Sequence, residues 1–157
     1  MRKLVLIRHA EAKPEMENST DFDRPLSSSG KKDAAQMAGV LLQRGILPQI
    51  IISSPALRAL TTANIFTAAL SSEGLKTNAD IYEAHEDTLL EIVNHLDDQY
   101  KVAGLVGHNP GISNLLYLLT GKVITMPTCA WAIVELEAES WTQVSSDTGK
   151  LIQFQHP

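Results

Sequence analysis

The feature that most constrains the fold is a run of four apolar residues, Leu4 to Ile7, which Arg8 and His9 follow at once. An uninterrupted apolar run of this kind is typical of a strand buried on both faces of a sheet. In open α/β sheets, ligands bind at the carboxyl ends of the strands. The run therefore predicts a core strand that presents a guanidinium and an imidazole at a ligand-binding edge. The alternative is that the pair only marks where the strand enters solvent.

The second predicted strand, 49–53, also ends beside a cation. It contains three consecutive isoleucines and is followed by Ser54 and Pro55. Proline suits the first turn of a helix and serine its cap, so Arg58 lies about one turn inside the helix that follows. A second guanidinium is therefore expected at the same edge of the sheet.

Two more predicted strands end in residues that can carry chemistry. A short third strand, 80–82, is followed by Glu83, which either borders the same edge or is a solvated carboxylate at a helix start. The fourth strand, 101–107, is followed by His108. Asn109, with a proline after it, is a helix-start signal, and helix N-termini attract anions.

Arg24 lies at the end of a polar loop, 13–23, that we expect to cross the tip of the first strand. The proline that follows holds Arg24 in an extended conformation. From there it either reaches toward Arg8 or pairs with Asp21 or Asp23, and the sequence leaves both alternatives open.

The order of elements predicts an α/β fold. Strands alternate with helices over 31–44, 55–72, 86–98 and 109–121, with a turn at Glu73 and Gly74. Three further strands are predicted at 129–137, 141–144 and 150–155, the first with Cys129 as a buried residue. This pattern predicts a three-layer α/β/α sandwich with a mostly parallel central sheet and added antiparallel strands.

Composition excludes several classes of protein. With 157 residues, 44% of them hydrophobic, the chain is long enough to bury a core, and we expect residues 1–157 to form one domain. A formal net charge of -5 argues against nucleic-acid and membrane partners, although a few placed cations can still build an anion site. A single cysteine and no stretch of membrane-spanning length lead us to expect a cytoplasmic protein, and we expect a monomer.

The predicted strand ends bring five side chains to one edge: Arg8, His9, Arg58, Glu83 and His108. Two arginines and two histidines suit a compact dianion, and phosphate matches them in charge and in bidentate geometry. A metal held by His9, His85 and His108 is the competing hypothesis, but the arginines would repel it and the histidine spacing is not that of a metal motif. We therefore expect neither a metal nor a cofactor.

Four segments of the chain carry a resemblance: 7–11, 53–62, 82–83 and 106–110. In this order they resemble the signature segments of the histidine phosphatase superfamily. The short chain, the Arg24-Pro25-Leu26 element and the ending at 141–154 are most similar to the SixA-type phosphohistidine phosphatases of that superfamily. The resemblance spans nearly the whole chain and implies a fold like that of phosphoglycerate mutase.

The resemblance also implies roles for individual residues. His9 would be the nucleophile that forms a phosphohistidine intermediate, since a neutral imidazole attacks well near neutral pH and the bond it forms is labile. Arg8, Arg58 and His108 would hold the phosphoryl oxygens. Glu83 would be the general acid, and Arg24 and Asn109 would help to bind the substrate.

Two departures from the family pattern bear on activity and substrate. Ala10 replaces the usual glycine after the nucleophile, which removes the freedom to adopt a positive φ without strain. The loops at 11–23 and 70–80 are too short for the helical lid of larger members, so we expect no lid and a shallow site.

A shallow site favours phosphohistidine on a signalling or phosphotransfer protein as the substrate. An imidazole leaving group, with a pKa of about 6.5, needs far less acid assistance than an alcohol. The alternatives are a small-molecule phosphomonoesterase with the same residues and a phosphate- or phosphohistidine-binding module that has lost its chemistry.

Overall fold

Six strands and four α-helices alternate along the residues that the computed structural model describes, 1–72 and 74–157. The strands are β1 (Arg2–Arg8), β2 (Ile50–Ser53), β3 (Gly74–Thr77), β4 (Val102–Gly107), β5 (Trp131–Leu136) and β6 (Gly149–Gln155). The helices are α1 (Ser28–Arg44), α2 (Leu57–Leu70), α3 (Glu86–Asn94) and α4 (Gly111–Thr120). Within the described ranges, no helix is both long and apolar enough to span a membrane.

The strands form one mixed sheet in the order β3-β2-β4-β1-β5-β6. The first four strands of this order pair in parallel, whereas β5 runs antiparallel to β1 and β6 antiparallel to β5. Buried residues of α1 and α2 form one core with the sheet, and buried residues of α3 and α4 form the other. The predicted α/β fold, with its three layers and mostly parallel sheet, is confirmed.

The central strand β1 is buried on both faces. Leu4 and Leu6 belong to the core beneath α3 and α4, whereas Val5 and Ile7 belong to the core beneath α1 and α2. Successive side chains of a strand point to opposite faces, so a continuous apolar run is what a central strand requires. The strand extends to Arg8, and His9 is the first residue after it.

The third strand lies earlier in the chain than the sequence indicates. Residues 80–82 were predicted to form it, but β3 occupies Gly74–Thr77, and Ala79–Ile81 is a 3-10 helix. The Asn78 side chain accepts a hydrogen bond from the backbone N–H of Asp80 at 2.9 Å, which stabilises this helical turn. The strand itself lies at an edge of the sheet and is only partly buried, so it lacks a continuous apolar run. Of the predicted turn at 73–74, Glu73 lies outside the described residues.

Two predictions for the C-terminal strands are also wrong in part. Residues 141–144 do not form a strand, because Trp141–Gln143 is a 3-10 helix closed by a capping box between Ser140 and Gln143. Cys129 is buried as expected, but it has a φ of 62° and precedes β5.

Helix boundaries differ from the predictions by a few residues. Helix α1 begins at Ser28, because the Ser27 side chain accepts a hydrogen bond from the N–H of Gly30. Helix α2 begins at Leu57 rather than at residue 55, so Arg58 is its second residue and lies within the first turn. Helix α3 ends at Asn94, four residues before the predicted boundary.

Arg2, the first residue of β1, joins this strand to the loops that contain Asp98 and Glu139. Its side chain is 2% exposed and donates hydrogen bonds to the backbone carbonyls of Asp98, Tyr100 and Glu139. It also lies 3.4 Å from the carboxylate of Asp98 and 5.4 Å from the centre of the Trp141 ring. One buried cation thus connects the first strand to two distant loops.

Replacing Arg2 with Met should therefore lower the free energy of unfolding by about 2–4 kcal/mol, because three backbone carbonyls lose the buried charged donor that joins them. Urea unfolding followed by circular dichroism measures the change. Lys3→Met is the matched control, since Lys3 is a neighbouring cation of β1 whose side chain makes no hydrogen bond or ion pair within the described residues. Equal losses in the two variants would contradict this role of Arg2.

Candidate active site

The parallel pairing of β1 and β4 brings two histidines together at the carboxyl edge of the sheet. Arg8 pairs with Gly107 in the ladder, and the N–H of His9 donates to the Gly107 carbonyl at 3.1 Å. His9 directly follows β1 and His108 directly follows β4, and the centres of their rings lie 5.2 Å apart. The two imidazoles are therefore neighbours although nearly one hundred residues separate them.

A cavity of about 350 Å³ lies at this edge. It is lined by Arg8, His9, Glu11, Ala12, Arg24, Arg58, His108, Asn109 and Thr128. All of the residues predicted to act in the site line it except Glu83. Three guanidinium groups surround the two imidazoles, which gives the cavity the chemistry of a site for a small oxyanion.

The environment of His9 determines which ring nitrogen can react. Its Nδ1 lies 2.8 Å from the carbonyl oxygen of Ala10. A carbonyl oxygen only accepts hydrogen bonds, so Nδ1 carries the proton, and the neutral ring keeps a free electron pair on Nε2. Burial lowers the pKa of His9 to about 4, and the charges of Arg58, Arg8 and Arg24 act in the same direction. His9 is therefore neutral near pH 7, with Nε2 available as a nucleophile.

Ala10 occupies the position of the family glycine without backbone strain. It is not among the described non-glycine residues with positive φ, so the turn does not need a glycine. Its N–H donates to Thr62 Oγ1 at 3.0 Å, and its carbonyl accepts from His9. The departure from the family pattern leaves the turn after β1 intact.

His108 is held by Ser54, whose sequence pattern indicated only a helix cap. His108 Nε2 lies 2.8 Å from Ser54 Oγ, and the same oxygen accepts a hydrogen bond from the N–H of Ala56 at 3.2 Å. Burial, together with the charges of His9 and Arg58, lowers the pKa of His108 to about 3. His108 therefore contributes a neutral ring at neutral pH.

The arginines of the cavity are each anchored by neighbouring groups. Arg8 Nη1 donates to the Met126 carbonyl at 3.0 Å, and burial lowers the pKa of Arg8, which nevertheless stays charged. Arg24 pairs with Asp21 at 3.0 Å, which is one of the two alternatives left open by the sequence, and it also lines the same cavity as Arg8. Arg58 is 7% exposed and is anchored by Asp21 as well.

Asp21 is the main residue that sequence reasoning missed. Its carboxylate accepts hydrogen bonds from the hydroxyl of Tyr82, from Arg24 and from Arg58, and these contacts, that of Tyr82 most of all, hold the pKa of Asp21 well below its ordinary value. The hydrogen bond between Tyr82 and Asp21 also raises the pKa of Tyr82 to about 12. Arg58 and Tyr82 lie 37 and 61 positions from Asp21 in sequence. Only the Arg24 contact is local enough for the sequence to have suggested it.

The two remaining predicted residues have different surroundings. Glu83 is exposed, has a φ of 56° and does not line the cavity, so its role as a general acid stays a prediction. Asn109 lines the cavity, but it is not a helix cap, because α4 begins at Gly111. Its amide donates to the Met126 carbonyl at 2.9 Å and accepts from Ser113 at 2.6 Å.

Glu11 is the carboxylate among the described residues that line the cavity, and its sequence pattern did not indicate a role for it. Its Oε1 accepts hydrogen bonds from Ser27 at 2.8 Å and Ser29 at 2.9 Å. These two contacts lower the pKa of Glu11 and favour its ionised form, which cannot donate a proton.

A larger cavity of about 480 Å³ lies between β3 and α3 and does not have this chemistry. Its floor includes Ile50 and Ile52, and its charged rim has three carboxylates, on Asp80, Glu91 and Asp97. Lys76 is the one lysine or arginine among its lining residues in the described part of the chain. An excess of carboxylates is unfavourable for an anion, so the smaller cavity is the better phosphate site.

The tautomer of His9 can be measured directly by ¹⁵N NMR of the ring nitrogens. We expect Nδ1 to be protonated and Nε2 to be bare from pH 5 to pH 8, and the ring to gain its second proton only near pH 4. The spectrum of a His9→Ala variant assigns the resonances. Titration of His9 at its ordinary pKa, or a proton on Nε2 of the neutral ring, would contradict the geometry.

Comparisons with known proteins agree with this geometry. A model of the histidine phosphatase superfamily, branch 1, matches residues 4–100. An uncharacterized chloroplastic protein of Arabidopsis thaliana is 29% identical and aligns over 94% of this chain and 72% of its own length.

Solved structures extend the similarity to the whole chain. A protein from Agrobacterium tumefaciens designated phosphohistidine phosphatase SixA is 25% identical, with a TM-score of 0.85, over 99% of this chain and 98% of its own. A mycobacterial glucosyl-3-phosphoglycerate phosphatase shares the fold, with 16% identity and a TM-score of 0.73 over 99% of both chains. The chain belongs to branch 1 of the histidine phosphatase superfamily and has a SixA-type structure.

Proposed function

We propose that this phosphatase removes phosphate from phosphohistidine on a signalling or phosphotransfer protein, through a covalent intermediate on His9. The observation that carries the proposal is the hydrogen bond from His9 Nδ1 to Ala10, which leaves Nε2 free inside a cavity lined by three arginines. The similarity to the SixA-designated structure supports phosphohistidine as the substrate class.

The reaction proceeds as two displacements at phosphorus. His9 Nε2 attacks in line, the bond from phosphorus to the substrate's imidazole breaks, and the phosphoryl group is transferred to His9. The substrate ring, protonated on its other nitrogen, leaves as neutral imidazole. Arg8, Arg24 and Arg58 stabilise the charge on the three equatorial oxygens without forming covalent bonds. Water then attacks the phosphorus of the intermediate as the bond to His9 Nε2 breaks. The proton that the water loses passes to solvent, and inorganic phosphate and neutral His9 are released.

The placement of Glu83 favours a phosphoramidate over an ester as substrate. An alcohol leaving group needs a proton from a general acid in the transition state, whereas an imidazole, with a pKa of about 6.5, leaves far more easily. Glu83 is exposed and outside the cavity lining, and hydrogen bonds hold Glu11 in its ionised form. A site with weak acid assistance is thus better matched to phosphohistidine.

Phosphate release from a histidine-phosphorylated phosphotransfer domain, measured in excess chelator, tests the proposal. We expect turnover by the wild type and a loss of roughly 1000-fold or more in His9→Ala, because the nucleophile is gone. His156→Ala is the control, since His156 is exposed and does not line the cavity.

Two other outcomes of this assay would favour a different function. Turnover of a small phosphomonoester without release from the protein would favour a small-molecule phosphomonoesterase. Phosphate binding without turnover of either substrate would favour a binding module.

A second prediction concerns the leaving group. Glu83→Gln should change phosphoramidate turnover by less than about threefold and lower phosphomonoester turnover by about tenfold, because only the ester needs a proton donor and the exposed Glu83 assists it weakly. Initial rates on the two substrate classes, with Asp87→Asn as an exposed control nearby, measure the difference. Equal losses on both substrates would count against Glu83 as the acid.

A further inference from the structure

Asp21 is the residue on which the two outer arginines of the cavity converge. Arg58 donates from Nη2 to the Asp21 carboxylate at 3.0 Å and from Nη1 to its backbone carbonyl at 2.7 Å. Arg24 donates from Nη1 to the other carboxylate oxygen at 3.0 Å. Tyr82, which precedes Glu83, donates its hydroxyl hydrogen to the carboxylate at 2.7 Å.

Arg24 also donates from Nε to the Lys13 carbonyl at 2.8 Å, and together these contacts leave part of each guanidinium free. A guanidinium has five N–H groups, and Asp21 takes one from each terminal nitrogen of Arg58. The other three, including the one on Nε, have no acceptor among the described residues. Because Arg58 lines the cavity, these free groups are the donors available to an oxyanion there.

We propose that Asp21 is a positioning residue for phosphate binding, which fixes Arg24 and Arg58 so that their free N–H groups meet the phosphoryl oxygens. Long side chains lose rotamer freedom when they bind a ligand, and a prior anchor removes much of that cost. The inference rests on the proposed function only in that phosphate is the ligand of this cavity.

Simple electrostatics gives the opposite expectation. A carboxylate beside a cationic cavity repels a dianion, so removing its charge should strengthen phosphate binding. If Asp21 instead positions the arginines, removing its carboxylate should weaken phosphate binding. The sign of the change therefore distinguishes the two effects.

Asp23 offers a matched control for charge. It belongs to the same 3-10 helix, Asp21–Asp23, and its carboxylate accepts from Thr20 at 2.8 Å. It makes no ion pair or hydrogen bond with Arg24 or Arg58 within the described residues. Asp23→Asn removes the same charge two residues away without disturbing the anchor.

Calorimetric titration of the full chain with inorganic phosphate is the experiment. We expect Asp21→Asn to raise Kd for phosphate about tenfold, because the amide cannot accept from all three donors. Tyr82→Phe should raise it less, by about two- to fivefold, since it loosens Asp21 without removing its charge. Asp23→Asn should leave Kd unchanged or lower it. In steady-state kinetics, KM should rise more than kcat falls, because the arginines bind phosphate in both ground and transition states.

Binding by Asp21→Asn as tight as that by Asp23→Asn would overturn the proposal. If Asp21→Asn does not fold, as judged by its near-UV circular dichroism, Tyr82→Phe decides alone, and an unchanged Kd overturns it. The readout does not depend on the identity of the substrate. Failure of the phosphohistidine assay and failure of this inference are therefore distinguishable.

Discussion

The parallel ladder between β1 and β4 is the constraint on which the site depends. It pairs Arg8 with Gly107, so that the residues just beyond the two strands, His9 and His108, come side by side. Both strands are almost wholly buried, and a slip of one residue would exchange the faces of every side chain in the strand. Core packing thus sets the register, and the register sets the distance between the two imidazoles.

Burial and positive charge act together on the two histidines. Both effects lower the pKa of His9 to about 4, which keeps its nucleophilic nitrogen unprotonated at neutral pH. The same shift has a consequence for stability. Between about pH 6.5 and pH 4, the unfolded chain binds a proton at His9 that the folded chain does not, so this histidine makes the fold less stable as the pH falls through that window. The lowered pKa of His9 thus keeps the nucleophile unprotonated at neutral pH and also makes the folded state less stable in acid.

Local patterns in the sequence were sufficient to predict the parts of the site that follow buried strands. Apolar runs ending in Arg8-His9 and in His108 are continuous in the chain, and the strand edge brings their ends together by topology. The short edge strand β3 was misplaced because it lacks such a run, and the turn after Asn78 is fixed by a side-chain hydrogen bond. The contacts of Asp21 with Arg58 and Tyr82 depend on loop geometry that no local pattern records.

The hydrogen bond that orients His9 uses a backbone acceptor, the carbonyl of Ala10. A side-chain partner can be lost by a single substitution, whereas a main-chain carbonyl is present whatever residue occupies the position. Any residue at position 10 that keeps the turn therefore serves the orienting function equally well. The tautomer of His9 therefore persists through substitutions at position 10 as long as the turn keeps its backbone conformation. Grafting this nucleophile onto another scaffold would require that backbone conformation to be reproduced, and not only the histidine.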